Sequence, residues 1–185
     1  DRHPRRPLAP SWDGRLPRNR RTDEVPVTYK IVMTLEKLQA KILLPTPEEL
    51  ETERTWIINK INQIGIEKIS EAIQKAVEVR RYAYPPYSGY KVGASIICKS
   101  GAIHASCNAE VASYSETDHA EGSAITKAIS EGETKKSDDN FIEAVIVAHS
   151  GKSGPCGRCR QCIAQHAENA LIIDVDPEGN IDAVI

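Results

Sequence analysis

Two helix starts on either side of one apolar run, interrupted only at Glu143, constrain this chain more than any other feature. His119-Ala120-Glu121 follows a polar loop and opens a predicted helix over His119 to Glu131, with Ala120, Ala124, Ile125, Ala128 and Ile129 facing inward. Pro155-Cys156-Gly157-Arg158-Cys159 opens a second predicted helix that runs to about Asn169. Between them, Phe141 to Ala148 is apolar at every position but Glu143, the pattern of a buried strand. Residues at i and i+3 share a helical face, so the sulfurs of Cys156 and Cys159 can reach one ion. Imidazole and thiolates suit zinc, and a catalytic zinc takes three protein ligands and keeps a fourth position open. His119, Cys156 and Cys159 form such a set only if the fold brings both helix starts together. Glu121, two residues after the histidine, is then placed to move protons to and from a zinc-bound water without ligating the metal. The positive end of the second helix also favours thiolate over thiol.

The rest of the chain supplies a frame for these two halves. Residues 1–26 are rich in Arg and Pro and lack apolar periodicity, so they are expected to be disordered or added by expression. An organelle presequence or a nucleic-acid arm is the alternative, but Pro4, Pro7, Pro10 and Pro17 break the amphipathic helix a presequence needs. Residues 27–65 read as a helical extension, with helices over 29–44 and 48–64. Thr46 serves there as N-cap, Pro47 as first helical residue, and Ile57, Ile58, Ile61 and Ile64 recur at helical spacing. Gly65 ends that extension, and residues 66–185 form the main domain. A helix over Ile66–Tyr82 stops at Pro85-Pro86. Strands over Lys91–Cys98 and Ala102–Cys107 are joined by a Lys99-Ser100-Gly101 turn, and Leu171–Val175 and a short last strand complete the set. The order β-β-α-β-α-β-β behind helices predicts an α/β sandwich with one mixed sheet.

Composition removes several function classes. Lys+Arg 24 against Asp+Glu 26 gives no whole-chain argument for nucleic acid or membrane. The charge is uneven, because residues 1–22 hold seven arginines and two aspartates and the remainder carries minus seven. Five cysteines, three of them within residues 156–162, suit a metal site in a reducing compartment better than a secreted disulfide framework. No apolar run is long enough to cross a bilayer and no secretory segment is visible, so a cytoplasmic protein is expected. A chain opening on Asp1 is expected to be processed, cut from a longer protein or extended by expression.

The metal motif alone leaves alternatives. A closed structural zinc site completed by Cys162, Cys107 or His149 is one, and a Cys-x-x-Cys redox pair is another. Cys162 lies a further turn along the helix, about 5 Å along its axis. A redox pair would leave His119 and Glu121 without a role. His104 in a strand and His149 after one read as structural or solvent-facing residues, and Gly151-Lys152-Ser153-Gly154 lacks the spacing of a phosphate loop.

His-x-Glu with Pro-Cys-x-x-Cys is the signature of zinc-dependent nucleobase deaminases, and residues 84–161 resemble cytidine deaminase closely. The stretches that carry the resemblance are Tyr84-Pro85-Pro86-Tyr87-Ser88-Gly89-Tyr90-Lys91-Val92-Gly93-Ala94, Asn108-Ala109-Glu110, His119-Ala120-Glu121 and Pro155-Cys156-Gly157-Arg158-Cys159-Arg160-Gln161. They cover a little under half the chain, and residues 66–185 match more loosely.

The resemblance implies a three-layer α/β/α fold with a mixed five-stranded sheet and Zn²⁺ as cofactor. It implies hydrolytic deamination of cytidine or deoxycytidine in pyrimidine salvage, and a dimer or tetramer of like subunits. It also implies that Asn108 and Glu110 bind the sugar hydroxyls, that Tyr90 stacks on the pyrimidine, that the backbone around Ala120 contacts the base edge, and that Glu121 is the proton shuttle. The sugar contacts point to a free nucleoside, with nucleic acid an unlikely ligand. A deaminase of polynucleotides or modified nucleosides, with the basic tail as its arm, is the rival, and a non-catalytic zinc domain is another.

Three departures stand out. Tyr90 occupies a position that is usually phenylalanine. Many members have Cys-Ala-Glu-Arg where this chain has His119-Ala120-Glu121-Gly122. One histidine and two thiolates on Zn²⁺ sum to zero charge, so no arginine is needed at Gly122. The sequence given also ends at Ile185, where the family usually continues into a closing helix.

Overall fold

A computed structural model describes residues 50–137, 139–151 and 154–185. The expectations for residues 1–26 and the helix over 29–44 lie outside these residues. The elements are α1 (Leu50–Ile64), α2 (Ile66–Arg80), β1 (Gly93–Cys98), β2 (Ile103–Cys107), α3 (Ala120–Ser130), α4 (Glu133–Ser137), β3 (Ile142–Ala148), α5 (Gly157–His166), β4 (Leu171–Val175) and β5 (Ile181–Val184).

All five strands join one sheet in the order β2-β1-β3-β4-β5. β1 pairs antiparallel with both β2 and β3, β3 pairs parallel with β4, and β4 pairs antiparallel with β5. The mixed five-stranded sheet is thus as expected. The parallel pair follows from the connection through α5, because parallel neighbours need a crossover whereas antiparallel ones can turn back directly.

Helices cover both faces of the sheet, and alternation along the strands divides the core between them. On one face Ile57 and Ile61 of α1 and Ile69, Ile73 and Ala76 of α2 pack against Ile97, Ala144, Ile146, Leu171 and Ile173. On the other, Ala124, Ile125 and Ala128 of α3 and Ile163 of α5 pack against Ile96, Val145 and Val147, with Phe141 beside them. The central strands carry side chains into both clusters, so β1 is buried along its whole length and β3 at all but Glu143.

Several ends differ from expectation. α2 stops at Arg80 rather than Tyr82, with the N–H of Arg81 and of Tyr82 bonded to Glu78 and Val79 carbonyls in a tightened last turn. α5 ends at His166, short of Asn169. α4 was not expected, since its five residues Glu-Thr-Lys-Lys-Ser carry no apolar period. Gly65 takes φ 89°, a left-handed conformation that separates α1 from α2 in a single residue.

Candidate functional site

Two of the three expected metal ligands sit at the N-caps of helices rather than inside their first turns. His119 is the N-cap of α3 and Cys156 that of α5, both with extended backbone and neither spending its side chain on capping. Their carbonyls accept the first helical bonds, from Ser123 and Arg160 N–H. The side chains therefore project off the helix starts, where two positive dipole ends converge. Cys159 follows three residues after Cys156 on the same side of α5, and it is buried. Outside the set, Arg158 Nη1 donates to the Thr117 carbonyl at 3.0 Å, joining the start of α5 to the loop that leads into His119.

The donor spacing fits zinc. Cys156 Sγ and Cys159 Sγ are 3.6 Å apart, and His119 Nδ1 lies 3.5 Å from the first and 3.3 Å from the second. A tetrahedral zinc with ordinary bond lengths requires about 3.8 Å between sulfurs and about 3.5 Å between sulfur and nitrogen. Among the described residues no Cys162, Cys107 or His149 atom joins this group, so it is a three-ligand set. Cys162 is half-buried and packs against the α3 side of the core. Burial pushes the Cys159 thiol up first, and the Glu121 carboxylate and Cys156 add to it. A cation must then displace the proton, so metal uptake releases protons.

Glu121 stands in the first turn of α3, buried and on the same cavity wall as His119 and Ala120. The cavity measures about 300 Å³, within the range of small-molecule sites. At one end lie His119, Cys156 and Glu121; elsewhere it is lined by Ser88, Tyr90, Asn108 and Glu110. Every residue expected at the site therefore faces this cavity except Cys159, which lies buried behind it.

Asn108 and Glu110 are buried and also serve the backbone. Asn108 Oδ1 accepts the Val92 N–H at 2.8 Å, and its Nδ2 donates to the Tyr90 carbonyl at 2.9 Å. Glu110 accepts Tyr87 N–H at 2.9 Å, Ser88 N–H at 3.0 Å and the Ser88 hydroxyl at 2.5 Å. Burial alone would raise the Glu110 carboxyl, but these donors outweigh it and hold it below the ordinary carboxylate value. Two short β-bridges, Tyr84 to Ala109 and Ala109 to Asp118, tie the same loop to the approach to His119. The loop 84–92 is thus built on the two residues expected to hold a sugar.

Thr117, Val147 and Gly154, which sequence reasoning passed over, also line the cavity, as does His149, which it read as structural or solvent-facing. His149 is buried, not solvent-facing, and its ring approaches that of Tyr90 with centroids 6.3 Å apart. No sequence motif marks these residues, and only their adjacence to β3 and to the ligand segments could have raised them. His104 is buried with its two ring nitrogens 3.3 Å from Glu131 and 3.4 Å from Glu133. Cys98, His104 and Glu133 form a second compact polar group, with Lys136 at 2.7 Å and the Ser100 hydroxyl at 2.5 Å on the Glu133 carboxylate. An ammonium already on the carboxylate makes this an ion-pair cluster that braces α4 against the β1–β2 turn.

Comparison with known proteins agrees with this geometry. Residues 66–174 match the model of the cytidine and deoxycytidylate deaminase zinc-binding region. Cytidine deaminase of Sporosarcina psychrophila is 36% identical over 104 residues, spanning 56% of this chain and 73% of that protein. Cytidine deaminase of Halalkalibacterium halodurans is 40% identical over 93 residues, spanning 50% of this chain and 67% of that protein. The crystal structure of cytidine deaminase from Burkholderia pseudomallei superposes with a TM-score of 0.56 at 29% identity, covering 62% of this chain and 89% of that one. With the match spanning most of the described fold and both halves of the metal set, the chain belongs to the zinc-binding cytidine and deoxycytidylate deaminase family.

Proposed function

We propose that the protein hydrolyses the 4-amino group of cytidine or deoxycytidine, giving uridine or deoxyuridine and ammonia. The observation that carries this reading is one cavity in which the zinc-spaced His119, Cys156 and Cys159 set adjoins a buried carboxylate, Glu121, and the Asn108–Glu110 pair. His119, Cys156 and Cys159 would hold zinc, which would supply a Lewis acid to acidify the attacking water. Glu121 takes a proton from the attacking water and delivers it to N3 as the water oxygen bonds to C4. It then takes the proton of the new hydroxyl and passes it to the exocyclic amine, so that the C4–N bond breaks, ammonia leaves and the C4 carbonyl forms. Burial of Glu121 keeps bulk water from competing for these protons.

Asn108 retains one N–H and one acceptor site beyond its backbone bonds, and Glu110 retains lone pairs on Oε1. These free valences are our candidates for the sugar hydroxyls, with Tyr90 as the wall against the base and the Ala120 backbone at its edge. We assign catalysis to residues 66–185. The described residues include no helix long and apolar enough to cross a membrane; we assign the protein to the cytoplasm as a salvage enzyme. Exposed Tyr87 and Val111, flanking the Ser88–Glu110 contact, support assembly of like subunits.

The test is turnover of cytidine by the zinc-loaded chain, followed by loss of the 4-aminopyrimidine absorbance. Glu121→Gln is expected to lose roughly 10²–10⁴ in kcat with its zinc content unchanged. No turnover by the parent, or full activity in Glu121→Gln, would refute the proposal.

A further inference from the structure

His149 Nδ1 lies 3.0 Å from the Tyr90 hydroxyl and 3.0 Å from the Gly151 backbone N–H. A backbone N–H can only donate, so Nδ1 carries a lone pair and the ring proton of neutral His149 sits on Nε2. That Nε2 faces Asp174 Oδ1 at 3.7 Å, and among the described residues neither atom has a hydrogen-bond partner. Both side chains are buried, and Asp174 belongs to β4, next to the β3 strand that His149 follows. Toward an acceptor Nδ1 the Tyr90 hydroxyl can only donate, and it shares the single lone pair of that nitrogen with the Gly151 N–H. The phenol oxygen then has only lone pairs to present elsewhere. Tyr90 and His149 both line the cavity, with Val147 and Gly154 beside them.

We propose that His149, whose Nδ1 is fixed as an acceptor by the Gly151 N–H, is a positioning residue that fixes the Tyr90 phenol as a hydrogen-bond acceptor for a donor group of the bound nucleoside. This rests on the nucleoside reading above and deepens it. A phenylalanine at the same position would offer a ring face alone, so the hydroxyl adds selection for ligands with an N–H or O–H on this wall. Such a preference depends on one acceptor atom of His149, and isosteric substitutions can separate it from mere packing. The carboxamide oxygen of asparagine falls near the Nδ1 position, whereas that of glutamine falls near Nε2. His149→Asn therefore keeps an acceptor for Tyr90 and His149→Gln removes it at similar bulk and polarity.

The experiment measures cytidine kcat and KM for the zinc-loaded parent, Tyr90→Phe, His149→Gln, His149→Asn and the Tyr90→Phe/His149→Gln double variant. Tyr90→Phe and His149→Gln should each raise KM roughly three- to tenfold, as loss of one hydrogen bond predicts, with a smaller change in kcat. The double variant should be no worse than either single one, and His149→Asn should return KM to within about twofold of the parent. Independent increments in the double variant, a parental KM in His149→Gln, or equal damage from Asn and Gln would overturn the proposal. The Tyr90 ring Cζ resonance in ¹³C-tyrosine-labelled protein gives a readout that needs no turnover. It should move in His149→Gln and stay in place in His149→Asn, and the opposite pattern refutes the contact even if cytidine is not a substrate. If the parent fails to turn over cytidine while the resonance behaves as expected, the functional reading falls and the Tyr90–His149 geometry stands. Tyr90→Phe alters a partly exposed ring, so it still tests the hydroxyl should a buried His149 variant not fold.

Discussion

Two glycines close to the candidate site should respond to the same substitution with opposite sign. At Gly93, the first residue of β1, an added Cβ would stand 2.1 Å from the Ala76 carbonyl oxygen and 2.8 Å from both Cβ and N of Arg80. Ordinary carbon–oxygen contacts lie near ~3.3 Å, so α2 would have to withdraw from β1 by more than about 1 Å. The obstacle is helix backbone, which cannot rotate away. The seam also carries the buried Ser95 hydroxyl on the Ala72 carbonyl at 2.7 Å and Arg80 Nε on the Lys91 carbonyl at 3.0 Å, and withdrawal strains both. Overpacking of this kind costs about 1–3 kcal/mol, and a backbone clash belongs at the top of that range. For a fold of this size, ~3 kcal/mol corresponds to a fall of roughly 6–12 °C in melting temperature.

Gly122, in the first turn of α3, has nothing within 4 Å of a new Cβ. Gly122→Ala should therefore raise stability by up to about 1 kcal/mol through lower backbone freedom in the unfolded chain. The assay is thermal unfolding by circular dichroism at one protein concentration and one zinc concentration, because bound metal shifts the midpoint by mass action. A Gly93→Ala midpoint indistinguishable from the parent, or a fall in Gly122→Ala, would refute this account of how β1 seats against α2.

Two further outcomes follow from the buried ionisable groups. Burial alone would raise the Glu133 carboxyl, yet bonds from Lys136, Ser100 and His104 hold it low, and Glu110 is held low by Ser88 and Tyr87. A carboxyl lower in the fold than in the unfolded chain contributes stability that is present above its unfolded value and is lost as pH falls through the folded one. The urea midpoint should therefore drop on acidification below roughly pH 4, less steeply in a Glu110→Gln/Glu133→Gln variant, and an equal slope would contradict it. The Cys98 thiol is pushed up to about 12 by burial and then by Glu133, whereas Cys156 is exposed. Iodoacetamide at mildly alkaline pH should label Cys156 in chelator-treated protein, spare it after zinc is restored, and leave Cys98 unmodified throughout; equal labelling of both in folded protein would count against the structure.

Much of this was legible because its signals are local. The apolar run at 142–148 and the helical spacing of Ala120, Ala124, Ile125 and Ala128 mark burial by period alone. His119, Glu121, Cys156 and Cys159 were legible through chemistry, since few other uses require those side chains at those intervals. What escaped depends on contacts across the fold. The backbone duty of Asn108 and Glu110 exists only because the loop 84–92 lies against them. His149 reads in sequence as a polar residue after a strand, and becomes part of the cavity only when Tyr90 is carried over to it. α4 is held by Glu133, whose partners lie mostly in other elements, so its five residues carry no period to read.

The bond from Arg158 to the Thr117 carbonyl spans 41 residues of chain, yet it joins the two ligand segments directly. Between those segments lies a stretch that includes α4, where Lys135 is exposed and Glu133 is buried. With the ligand halves fastened to each other, that stretch need not hold them in register. Exposed positions there, such as Lys135 and Asp139, are where the surface can change over evolutionary time while the metal set keeps its shape.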